Sequence, residues 1–123
     1  MKYLCLCYYD TQKVAAWSEA DMGAVPEACK PHDKALHETG KLAVVGSLDF
    51  PEAWKTIRPA NGQPIVSDGP YSNSRDQAGA FFIVEAANMD EAVKVASKHP
   101  GANLGKYFGG GIEVRACDSY EEL

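Results

Sequence analysis

The sequence predicts one α+β domain spanning residues 1–123, with a ferredoxin-like βαββαβ order and a β-hairpin inserted between its second and third strands. Three observations carry this prediction. Strand-like and helix-like hydrophobic patterns alternate along the chain. The dipeptide Asn61-Gly62 lies between two short extended segments, where it favours a tight hairpin. The strongest strands are apolar on both faces, so the sheet needs a cover on the face its helices leave open.

Taken in order, residues 2–9 alternate Tyr3, Cys5, Cys7 and Tyr9 with Leu4, Leu6 and Tyr8, which reads as a central strand ended by Asp10-Thr11-Gln12. Ser18 with Asp21 forms a capping-box pattern and opens a helix that Gly40 closes. Met22, Val25, Cys29, His32, Leu36 and Thr39 share one side of this helix. Pro31 is expected to kink or divide it, and Pro26 to sit in a first turn. Residues 41–48 form the second strand, and 49–52 a turn. Residues 54–67 form the hairpin, and Asp68-Gly69-Pro70 the turn that follows it. Residues 79–86, "GAFFIVEA", make the third core strand. A helix over 89–99 is capped by Asn88, with Asp90 and Glu91 favourably placed against its dipole. Pro100-Gly101 stops this helix, and His99 is assigned to its C-terminal dipole. Residues 112–117 form the last strand, and the acidic tail beyond is expected to fray. The doubly apolar sheet predicts a homodimer packed sheet to sheet.

Composition narrows the function. A net charge of −5 with scattered lysines and arginines argues against nucleic acid and anionic membrane as partners. No stretch reaches membrane-spanning length and the N-terminus lacks a signal-peptide pattern, so a cytoplasmic location is expected. The four cysteines show no metal-ligand spacing and read as reduced thiols; no metal or cofactor is expected. "YFGGG" lacks the Gly-Lys-Ser/Thr ending of a phosphate loop and reads as a turn.

The stretch "VSDGPYSNSRDQAGAFFIVEAANMDEAVKVASKHP", followed by "GGIEVRAC", resembles the DGPF-domain branch of the YCII-related family. The likeness lies in Asp-Gly-Pro-aromatic, Gln-x-Gly, the strand ending in Glu-Ala, the Asp-Glu-Ala helix and the Glu-Val-Arg strand. The resemblance implies a dimeric α+β barrel and a cleft in which an Asp and a His face each other. On that basis Asp68 and His32 are the candidate catalytic acid–base pair, and Tyr8, Cys29, Tyr71 and Arg75 the candidate substrate-binding residues. The family's histidine position, counted back from Gly40, falls on Cys29; His32 lies one turn further along the same face. Each candidate also has a structural role open to it. Asp68 can serve its turn, His32 the core, and Arg75 a surface acid that competes with its binding of a substrate carboxylate. The function expected is a small-molecule enzyme performing acid–base elimination, isomerisation or proton transfer. The alternative is a non-catalytic metabolite-binding or regulatory accessory dimer.

Overall fold

A computed structural model describes residues 1–123. The chain runs β1 (Lys2–Asp10), α1 (Thr11–Ala15), α2 (Glu19–Glu38), β2 (Leu42–Ser47), β3 (Lys55–Ala60), β4 (Gln63–Asp68), β5 (Asp76–Glu85), α3 (Met89–Ala96), α4 (Gly105–Phe108) and β6 (Gly111–Ala116). Four strands form an antiparallel sheet in the order β2-β5-β1-β6. β3 and β4 form a separate two-stranded arm. With the arm and the short helices α1 and α4 set aside, the order is the βαββαβ expected from the sequence.

Side-chain alternation sorts the sheet into two faces. Tyr3, Cys5 and Cys7 of β1 and Ala80, Phe82 and Val84 of β5 are buried on the helix side. There Ala92, Val95 and Ala96 of α3 and Leu36 of α2 complete the core. On the opposite face Leu4 stands across from Ile83 and Leu6 across from Phe81, all half-buried with nothing over them. All four cysteines are free, and burial raises Cys5 to about 11 and Cys7 to about 12, so both stay protonated thiols.

Local chemistry explains most boundaries. Ser18 and Asp21 make the reciprocal capping box of α2. Asn61 and Gly62 hold φ of 52° and 75°, the left-handed pair that a tight hairpin demands. Two expectations are corrected. α2 is one continuous helix from Glu19 to Glu38, with Pro26 and Pro31 both inside it, so neither proline divides it and Pro26 is not in its first turn. Each proline costs one backbone hydrogen bond, while the bonds on either side carry the helix through. His99 does not end α3, which stops at Ala96. It caps the 3-10 turn Pro100–Ala102, its ring accepting the Gly101 N–H at 2.9 Å.

Candidate functional site

α2 buries only Val25 and Leu36 of its twenty residues, so it stands off the sheet. Between it and β1, β2 and β5 lies a cavity of about 990 Å³. One wall is aromatic. The Tyr9 and Phe108 rings lie 4.6 Å apart, and Trp17 meets Phe108 edge-on at 5.5 Å. The Trp17 indole N–H donates to the Tyr107 carbonyl at 2.8 Å, which fastens α4 to this wall. A β-bulge opposite Cys7 and Tyr8 leaves Gly79 directly under Tyr9; a Cβ there would sit 2.5 Å from the Tyr9 ring. Phe50 and Trp54 flank the mouth.

Polar groups reach the cleft from α2, from the turn after β2 with Asp49 and Glu52, and from the turn after α3. Cys29, Asp33 and His37 follow one another at four-residue spacing and line the cleft together. The His37 Nδ1–H donates to the Asp33 carbonyl at 2.8 Å, which leaves the neutral ring's Nε2 as an acceptor. His99 also lines the cavity, only 7% exposed, stacked on Phe82 at 4.8 Å with an interplanar angle of 4°. Its Nδ1 accepts the Gly101 N–H, so the neutral ring carries its proton on Nε2. Two histidines thus line one cleft in opposite tautomers, each fixed by the backbone.

Burial lowers the His99 pKa from its ordinary 6.5, and Asp33 only partly opposes it. The unfolded chain therefore binds the His99 proton more readily than the folded one. The stability tied to neutral His99 is complete above the unfolded pKa and declines as pH falls through 6.5 toward the folded value. Urea midpoints should drop on going from neutral pH to about pH 5, and His99→Gln should flatten that slope. A slope unchanged by His99→Gln would assign the acid sensitivity elsewhere. Burial, with Asp33 second, raises Cys29, so it is a thiol rather than a thiolate nucleophile.

Of the sequence candidates, only Cys29 lines the cleft. His32 is half-buried on the neighbouring stripe of α2 and is not among the lining residues. Asp68 ends β4, 86% exposed, paired with the Lys55 ammonium across the arm. Tyr71 is exposed beside the arm with the Arg58 guanidinium over its ring at 4.7 Å. Tyr8 lies on the open sheet face, its hydroxyl donating to Glu113 at 3.5 Å. Arg75 pairs with Asp10 at 3.3 Å, and Asp10 in turn caps α1. One protomer therefore does not bring Asp68 and His32 together in this cavity. Tyr9, Asp33, His37 and His99 were not among the site residues expected from the sequence, which assigned His99 to a helix dipole. The local signal for His99 was His-Pro-Gly, a ring placed to cap its own turn.

Fold and cavity define a small α+β domain with a cleft walled on one side by aromatic rings, of a size and lining suited to a small molecule. The chain belongs to the YCII-related domain family, whose pattern matches residues 1–115. It is 32% identical over 121 residues to an uncharacterised protein of Rhizobium meliloti (strain 1021), covering 98% of this chain and 95% of that one. Among solved structures it resembles 5-chloro-2-hydroxyhydroquinone dehydrochlorinase from Burkholderia phenoliruptrix AC1100, in complex with 2,5-dihydroxybenzoquinone. The TM-score is 0.50 at 18% identity, covering 96% of this chain and 94% of that one. At that identity the likeness is one of fold. No helix is long and apolar enough to cross a membrane.

Proposed function

We propose that the chain is a homodimeric small-molecule enzyme that moves a proton on a flat, carbonyl-bearing substrate in the cleft beneath α2. The observation that carries this reading is the pair of oppositely fixed histidines. His37 offers a basic Nε2, and His99 offers a neutral Nε2–H donor. In the reaction, the substrate C–H proton passes to His37 Nε2 and the electron pair moves onto the carbonyl oxygen. The His99 Nε2–H hydrogen-bonds that developing oxyanion. Return of the proton to a different carbon completes an isomerisation. Departure of an adjacent leaving group with the electron pair completes an elimination. The fold neighbour is a dehydrochlorinase solved with a flat oxygenated ring, which supports elimination as the reaction class. We also assign the chain to the DGPF branch, on Asp68-Gly69-Pro70-Tyr71 and Gln77-Ala78-Gly79. The arm holds Asp68 outside its own cleft, so we reserve for it a role toward the cleft of a second copy.

The test is deuterium exchange into a panel of cyclic ketones in heavy water, followed by proton NMR. His37→Gln should slow exchange about 10²–10⁴-fold, the usual contribution of a general base. Exchange that His37→Gln leaves untouched would overturn the assignment. Ring binding without any exchange would assign the cleft to metabolite binding instead. The dimer rests on the uncovered Leu4, Leu6, Phe81 and Ile83, and on Ile57 and Val66 of the arm, which are 66% and 62% exposed. Light scattering at micromolar concentration should return twice the chain mass, and a monomer mass would refute it.

A further inference from the structure

Three carboxylates line the cleft, Asp33 on α2 and Asp49 and Glu52 on the turn after β2. None has a cationic partner within ion-pair distance. No lysine or arginine lines the cavity. The negative field reaches the interior. After burial, Asp33 is a further cause of the raised Tyr9 and Cys29 pKa values, and it favours the protonated form of His99.

The acids at the mouth sit on a fixed turn. The Trp54 indole N–H donates to the Asp49 carbonyl at 3.0 Å, and the backbone N–H groups of Ala53 and Trp54 donate to Phe50 and Pro51 at 3.1 Å. The Leu48 N–H ties the start of the segment to Gly79 of β5 at 3.0 Å. Phe50 and Trp54 therefore stand beside Asp49 and Glu52 at one end of an aromatic cavity. Aromatic faces and carboxylates both attract a cation, whereas an anion entering this cleft meets repulsion and no guanidinium or ammonium.

Accepting the cleft as the ligand site, we propose that its ligand has a flat apolar body and a cationic nitrogen. The body lies along Tyr9 and Phe108, and the nitrogen lies at the mouth among Phe50, Trp54, Asp49 and Glu52.

The experiment is calorimetric titration of the full chain with benzyltrimethylammonium, benzyl alcohol and benzoate, which share a ring and differ in charge. The cation should bind about tenfold more tightly than the alcohol, and benzoate most weakly. The double variant Asp49→Asn with Glu52→Gln should lose about tenfold of the cation's affinity and leave the alcohol's unchanged. Both side chains are exposed, so the fold should survive, as circular dichroism would verify. Raising salt from about 20 mM to about 500 mM should weaken the cation alone. Equal affinities, or benzoate as the tightest ligand, would overturn the charge requirement while leaving the cleft a ligand site. Binding of none of the three would overturn both.

Discussion

Replacing Phe82 with alanine should cost about 3–5 kcal/mol of folding stability, the range for removing a buried aromatic ring and leaving a cavity. Phe82 is fully buried near the middle of β5, paired with Cys5 on one side and Val45 on the other. The sheet cannot collapse into the vacated space without breaking both ladders, so little of the cavity should close. The effect should also reach the cleft, because Phe82 is the surface on which the His99 ring is stacked. Urea unfolding measures the first effect, and ketone exchange at a temperature where the variant is folded measures the second. A loss below about 1.5 kcal/mol would show that neighbours refill the site. Intact exchange in a destabilised variant would show that the Gly101 hydrogen bond alone holds His99.

The fold was more legible than the site because the two depend on different ranges of the chain. β1, β5 and α3 carry period-two or helical patterns long enough to read, and Ser18, Asn61-Gly62 and Asn88 mark boundaries by strictly local chemistry. α1 and α4 span only five and four residues, too few for a helical period to show. The stripe of α2 that lines the cleft was misjudged for a related reason. Met22, Val25, Cys29, His32, Leu36 and Thr39 share a broad face, yet the structure divides it. Val25 and Leu36 turn to the core, while Met22 and Cys29 join Asp33 and His37 on the cleft. That division depends on how far the helix stands from the sheet, which no helical period encodes. Asp68 shows the converse. Its turn chemistry was readable, whereas the direction of its side chain depends on the twist of the arm and its pairing with Lys55.

Gly110→Ala should cost at least about 4 kcal/mol, beyond what ordinary surface substitutions cost. Two penalties coincide at this position. Its φ is +57°, where an L side chain is strained by about 1–2 kcal/mol. The added Cβ would also sit 1.9 Å from the Tyr8 carbonyl oxygen and 2.6 Å from its carbon, which is backbone and cannot rotate away. Relief requires moving β6 relative to β1, beginning at the adjacent Tyr8–Gly111 pair, and with it α4 and the Phe108 ring that closes the aromatic wall. Gly62→Ala provides the control that separates the two penalties. Gly62 has φ of +75°, but a Cβ added there would meet nothing within 4 Å, so only the conformational strain should appear. Chemical denaturation of both variants decides the matter. Equal losses would mean that backbone strain alone governs Gly110 and that the loop has room to yield. A far larger loss at Gly110 would mean that the close approach of this loop to Tyr8 fixes the aromatic wall of the cleft.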